Sequence, residues 1–364
     1  MVGRIPILGI SAFVFICILF SLGYNHADNF NAKPLRPYEY KSKAPDGTFD
    51  PLDFYFNTLY KPSVKPTSSS YKPSDAFAWP QSNDVYWKDN LKKRFCIIDL
   101  DNRPLNGRHQ IFGQDILSWE HGREVHGLSA GILNHWIYSK IHGYKYYFVQ
   151  IDEPKDRRAS WKKAVIMTEI LKKHDACVFI DSDAIFPHLD LPFEWLMNYW
   201  QINPDNNSLA LASDPDEDYN KDRWGRIYLN TGFIVAQNNA KTYQILDAWN
   251  RCADDGEPYA NCTEFRKNSP GRPTDQGGFG TYIRYDYFDD IKELPCTEAN
   301  GFPLSGTDCH GQFIRHLWTG KDDHIKVEVG TQTPGPYLEL LHRQFLAEKS
   351  SFHLTEKQLL YGTP

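Results

Sequence analysis

One stretch constrains this chain more than any other: Ala176-Cys177-Val178-Phe179-Ile180-Asp181-Ser182-Asp183-Ala184-Ile185-Phe186. A mostly apolar run leads into two aspartates one residue apart, and a second apolar patch follows. An apolar run this short is expected to be a strand buried on both faces, as in a parallel sheet. The aspartates then fall at its carboxyl end, where open α/β sheets bind ligands. In an extended chain, side chains one residue apart share a face, so both carboxylates can reach one cation. Hard oxygen ligands at this spacing suit Mg²⁺ or Mn²⁺, which leave coordination positions for substrate phosphates. The triplet alone is weak evidence, because Asp99/Asp101, Asp214/Asp216 and Asp216/Asp218 repeat it. The Asp214–Asp218 group sits in polar, proline-interrupted sequence and is read as a solvated turn.

The 364 residues suffice for one large core or two small ones. Aromatic residues make up 15% of the chain, which suits either a carbohydrate-handling cleft or a bulky core. A net charge of −6 and the lack of a basic stripe with interleaved aromatics argue against nucleic acid as a partner.

After Arg4 the chain runs from Ile5 to Tyr24 without a charge, long enough to cross a bilayer as a helix. A cleaved signal peptide ending near Ser21-Leu22-Gly23 is the alternative, but the apolar stretch is longer than usual for one. The expectation is an uncleaved anchor over residues 5–24, with a cytoplasmic amino terminus and a lumenal domain. Residues 25–92, rich in Pro, Lys and Ser, are read as a stem, clearest at Lys61-Pro62-Ser63-Val64-Lys65-Pro66. Cys17 lies in the anchor, and Cys96 and Cys177 in apolar runs are expected to be buried thiols. Cys252, Cys262, Cys296 and Cys309 form an even set in polar sequence, with local pairs 252–262 and 296–309 expected among three connectivities. The sequons at Asn206 and Asn261 fit a lumenal domain.

Taken in order, Arg94–Leu100 is expected to be the first core strand, His121–Lys140 a helix and Tyr144–Val149 a second strand. Ser160 is a plausible N-cap for a helix burying Ala164, Met167, Ile170 and Leu171. This alternation of helix and strand marks an α/β sheet with crossovers. Asn230-Thr231-Gly232 interrupts the apolar strand Tyr228–Ala236, either as a bulge or as a close approach to a ligand. Asp275 and Gln276 stand where a helix opens and are open to reading as caps. His316 ends a short apolar run, with Gly320 and Lys321 close behind; it is a metal ligand beside a phosphate contact or a satisfied core residue.

The ordered set Ser160-Trp161-Lys162, Asp181-Ser182-Asp183, Asn230-Thr231-Gly232-Phe233, Asp275-Gln276 and His316 through Lys321 resembles the GT-A nucleotide-sugar glycosyltransferases. In particular it resembles the galactosyl/xylosyl/mannosyl transferase family of fungal and plant Golgi enzymes. That resemblance implies an α/β fold of GT-A type, a Rossmann-like mixed sheet with helices on both faces, behind a membrane anchor and stem. The implied organisation is an anchor over 1–24, a stem over 25–92, a catalytic domain over 93–333 and a helical tail over 334–364. It implies Mn²⁺ or Mg²⁺ on Asp181, Asp183 and His316, with Lys321 on the phosphates of a UDP- or GDP-sugar. Asn230 and Gly232 would line the donor or acceptor pocket and Lys162 its wall, with Asp181 also facing the donor. Asp275 and Gln276 would lie beside the anomeric carbon. The expected activity is transfer of a hexose or pentose to a glycan acceptor in the Golgi, with retention, by a single-pass type II protein. Homo- or hetero-oligomers of Golgi transferases belong to the same picture. Two other readings stand beside it: a lumenal binding or scaffold protein with a degenerate domain, and a metal-dependent glycosidase or phosphatase.

Overall fold

In the computed structural model the described residues are 51–362, apart from 57–59, 75–76, 268–273 and 334. The anchor expected over 5–24, Cys17 and the first part of the stem lie outside them. Among the described residues no helix is long and apolar enough to cross a membrane.

Eleven strands are described: β1 (Ser70–Ser74), β2 (Phe77–Pro80), β3 (Phe95–Asp101), β4 (Lys145–Gln150), β5 (Ala176–Ile180), β6 (Ala184–Ile185), β7 (Leu209–Ser213), β8 (Leu229–Gln237), β9 (Ile291–Leu294), β10 (Arg315–His316) and β11 (His353–Thr355). Seven form the central sheet, in the order β11-β4-β3-β5-β8-β7-β9. Strand β8 runs antiparallel to both of its neighbours, while β11, β4, β3 and β5 are mutually parallel. The sheet is therefore mixed, as expected.

The period-2 alternation of each strand feeds two cores. In β3, Phe95 and Ile97 face the core shared with residues of the helices Gly127–His142, Lys321–Gln332 and Gly335–Ala347. Cys96 and Ile98 pack on the other, against Lys163–Leu171 and Ala240–Cys252. With both faces covered, β5 has no exposed residue, which is why its sequence is apolar throughout.

Local signals explain some element ends. Gly143 closes the 127–142 helix with φ 73°, a left-handed cap that suits glycine. Asn239 caps the 240–252 helix by accepting from the Thr242 N–H. Ser160 does not act as the expected N-cap: a 3₁₀ turn over Ala159–Lys162 leads directly into the 163–171 helix.

The expectation of buried thiols at Cys96 and Cys177 is corrected. They are paired residues on adjacent parallel strands, with Cα atoms 4.4 Å apart, and they form a disulfide. Reach across one strand spacing cannot be read from residues 81 positions apart in sequence. The local pairs Cys252–Cys262 and Cys296–Cys309 form as expected.

The chain on either side of the sheet domain packs onto it. The β1–β2 hairpin docks through Tyr71, whose hydroxyl donates to Asp190 at 2.9 Å, and Trp195 donates to the Ser68 carbonyl at 2.9 Å. At the other end, β11 adds a parallel strand beside β4.

Candidate active site

Strand β5 stops at Ile180, so the two acids lie in a tight turn just past it rather than within it. The Ala184 N–H closes the turn on the Asp181 carbonyl at 2.8 Å, and the Asp181 N–H donates to the Gly232 carbonyl at 2.7 Å. Beneath the turn is Gly131, where a β-carbon would stand 2.1 Å from the Ser182 carbonyl oxygen. Glycine at 131 lets the helix seat directly against the turn. His135, from the same helix, donates from Nε2 to the Ala184 carbonyl at 2.7 Å and hydrogen-bonds through Nδ1 to Asp99 at 2.9 Å. A buried polar column thus holds up the acid pair from below.

The short ribbon of β6 and β10 then decides what faces the acids. His316 pairs with Ala184 in antiparallel register, and the Leu317 N–H donates to the Asp183 carbonyl at 2.8 Å. One ligand atom from each of Asp181, Asp183 and His316 lies within 4.8 Å of the others. His316 Nε2 sits 3.2 Å from Asp183 Oδ1, and Lys321 Nζ donates to Asp183 Oδ2 at 2.5 Å. Two carboxylates and an imidazole suit Mn²⁺ or Mg²⁺ in their donor chemistry. Lys321 places one positive charge on the acids while leaving its side chain half exposed at the rim.

The charges follow from this packing. Burial works against ionisation of Asp183, but His316 and Lys321 beside it hold its carboxyl well below the ordinary range. Burial pushes the Asp181 carboxyl up, opposed by Lys163. Burial likewise opposes charge on His316, yet Asp183 leaves its pKa above the ordinary value.

Lys163 occupies the place expected for Lys162. Its ammonium lies 3.3 Å from Asp181 and 3.4 Å from Asp275, and donates to the Thr231 carbonyl at 3.0 Å. Burial lowers its pKa, but the two carboxylates more than compensate and leave it raised. Lys162 instead pairs with Glu356. The 3₁₀ turn over Ala159–Lys162 leads into the helix at Lys163, and it is this next lysine along that faces the acids.

The Asn230-Thr231-Gly232 interruption is both a bulge and a close approach. Pairing between β7 and β8 jumps from Leu211–Ile234 to Ser213–Leu229, and the extra residues bow toward the acids. A β-carbon on Gly232 would lie 2.5 Å from His316 Cε1 and 2.8 Å from Asp181 Oδ2. Asp275 and Gln276 are not caps. Asp275 accepts from the Thr231 hydroxyl at 3.0 Å, and Gln276 donates to Asp214 at 2.6 Å.

Asp214 corrects the reading of its loop as solvated. It is buried, and also accepts from the Asn230 amide at 2.8 Å and the Asn300 amide at 3.3 Å. Burial pushes its carboxyl up despite these amide donors. A signal existed: like Asp181, Asp214 directly follows an apolar strand. Asp216 and Asp218 remain solvated, with side chains 82% and 99% exposed.

Two cavities flank the acids. One of about 690 Å³ is lined by Asp214, Asn230, Gln276, Tyr219, Leu304 and Trp318 together with the acid cluster. The other, of about 270 Å³, is lined by Arg103, Ser160 and Asp275 and shares Lys163, Asp181, Asp183 and Lys321 with the first. Arg103, in the loop after β3, clamps Asp101 with contacts at 2.8 Å and 2.6 Å.

Residues 149–309, which include most of this site, match the family model of nucleotide-diphospho-sugar transferases. Among curated proteins, the chain is 28% identical to probable xyloglucan 6-xylosyltransferase 3 of Arabidopsis thaliana over 127 residues, 34% of this chain and 26% of that one. It is 23% identical to xyloglucan 6-xylosyltransferase 4 of the same plant over 253 residues, 65% of this chain and 48% of that one. The chain thus spans about half or less of these relatives. Among solved structures, a glycosyltransferase involved in glycosylation of the major capsid of PBCV-1 aligns with a TM-score of 0.42 and 12% identity, over 64% of this chain and 98% of that one. The resemblance drawn from the motifs, to nucleotide-sugar glycosyltransferases, is therefore shared by the 149–309 segment as a whole.

Proposed function

We propose that this protein is a metal-dependent glycosyltransferase that moves a pentose or hexose from a UDP- or GDP-sugar to a glycan acceptor. One observation carries the reading. Asp181 and Asp183 at the end of β5, and His316 from a segment more than 130 residues away, converge between two cavities with a lysine at the rim. Departure of a nucleoside diphosphate builds negative charge on a phosphate oxygen. A divalent cation, when bound, stabilises that charge as it forms.

The chain's own residues do the rest. Lys321, with its half-exposed side chain, supplies a second positive charge at the phosphate side. Gln276 is held on both ends: its Nε2 donates to Asp214 at 2.6 Å, and its Oε1 accepts from the Thr231 N–H at 3.3 Å. It therefore presents a fixed amide to the sugar. Asp275 keeps a buried carboxylate oxygen without a hydrogen-bond partner in the protein, near where an oxocarbenium-like sugar would develop positive charge. Front-side transfer with retention is part of the proposal, as are the Golgi lumen, the membrane anchor over 5–24 and Mn²⁺ as the metal.

Calorimetry with UDP and GDP, with and without Mn²⁺, tests the reading: metal-dependent nucleotide binding supports it. A scaffold with a degenerate domain should show none. Release of nucleotide from each UDP- and GDP-sugar then identifies the donor, and anomeric analysis of the product decides retention.

A further inference from the structure

We propose that Asn300 is a positioning residue: it fixes His316 with Nδ1 as a hydrogen-bond donor, so that Nε2 is the nitrogen available to a cation. The inference rests on reading Asp181, Asp183 and His316 as a cation site. Asn300 is 1% exposed and ends the helix Cys296–Ala299 in extended backbone. Its amide cannot be turned around. Oδ1 accepts from the Gly301 N–H at 3.0 Å, and Nδ2 donates to the Ser213 carbonyl at 3.0 Å and to Asp214 at 3.3 Å. The opposite orientation would set the NH₂ against a backbone donor and the oxygen against a carbonyl and a carboxylate.

The oxygen of Asn300 therefore faces His316, whose Nδ1 lies 3.1 Å from it. An amide oxygen only accepts, so Nδ1 must carry a proton. The histidine's other nitrogen, Nε2, is the one 3.2 Å from Asp183. The backbone reinforces the arrangement, since the His316 N–H donates to the carbonyl of Gly301, the residue after Asn300. A ligating imidazole whose second nitrogen is held by an oxygen is fixed in both tautomer and ring angle. Asp214 in turn anchors Asn300, so the histidine's orientation is set by the wall of the larger cavity.

The test uses the full chain and Mn²⁺ alone, with free Mn²⁺ counted by electron paramagnetic resonance. Asn300→Leu, close in volume but without an acceptor, should weaken Mn²⁺ binding by about 10- to 100-fold. Asn300→Asp, which keeps an oxygen toward Nδ1, should bind more tightly than Asn300→Leu. With ¹⁵N-labelled histidine rings, wild type should show a slowly exchanging Nδ1 proton, assigned to His316 by its loss in His316→Gln. Asn300→Leu should lose it. A folded Asn300→Leu with wild-type Mn²⁺ affinity and an intact Nδ1 proton overturns the proposal. If wild type binds no Mn²⁺, the cation reading fails, and the ring spectrum alone decides the role of Asn300. If Asn300→Leu does not fold, a wild-type His316 without a protected Nδ1 proton overturns it.

Discussion

Gly232 stands so close to His316 that a single methyl group on its Cα would lie 2.5 Å from the imidazole Cε1. The two residues come from a central strand and from a short ribbon 84 positions later (316 − 232). The space between strand and imidazole exists because residue 232 has no side chain.

Gly232→Ala should therefore displace His316 or Asp181 without unfolding the protein. The added carbon also falls 2.8 Å from Asp181 Oδ2, so both candidate cation ligands are pushed at once. Mn²⁺ affinity and transfer should each fall by about two orders of magnitude, on the scale of misplaced catalytic groups. Near-native Mn²⁺ binding by this variant would show that the crowding is relieved elsewhere.

The neighbouring lysines should behave in opposite ways. Lys163→Met leaves Asp181 and Asp275 facing each other with their shared cation gone, and breaking such a buried pair costs about 3–5 kcal/mol. Lys162→Met removes only the partly buried pair with Glu356, outside the acid cluster, so transfer should persist even where some stability is lost. Urea unfolding of both variants, alongside transfer rates, checks the contrast. Equal effects would mean that Lys163 does not hold the acids.

Thiol counting tests the covalent frame. Seven cysteines less the six in three disulfides leaves one, Cys17. Alkylation of the unreduced, denatured chain should add one label, and peptide mapping should find it on Cys17. Labels on Cys96 and Cys177 would restore the reading of buried thiols.

Acid should destabilise the fold through histidines remote from the site. Burial lowers His342 and His142 to about 4, against about 6.5 in an unfolded chain. Both stay neutral in the native state down to that pH, while the unfolded chain takes up protons. Their stabilising effect is complete above about pH 6.5 and declines toward pH 4, by about 1.4 kcal/mol per pH unit for each histidine. His342 accepts from the Leu117 N–H and donates to the Ile111 carbonyl, a pattern glutamine can copy. Urea unfolding between pH 7.5 and 4.5 should give His342→Gln a slope shallower by about one proton. An unchanged slope would mean that His342 is protonated in the fold.

How much was legible follows from the range of each interaction. Strand β5, its terminal acids and the alternation of helix with strand are local consequences of apolar patterning, and all of them read directly from the residues. Ordered motifs likewise pointed to His316, Asn230, Gly232, Asp275 and Gln276, and the fold gathers these around the acid pair. Sequence alone could not tell Lys162 from Lys163, since adjacent residues on a helix point about 100° apart and packing decides which of them faces inward. It could not pair Cys96 with Cys177, nor bring Asp214 and Asn300 to His316. Those contacts depend on strand register and on how a bulge bows, which are set by packing among distant segments. Residue order therefore determined which chemistry the chain carries, and only the folded sheet decided which side chains meet, because proximity across strands is a property of register and not of spacing along the chain.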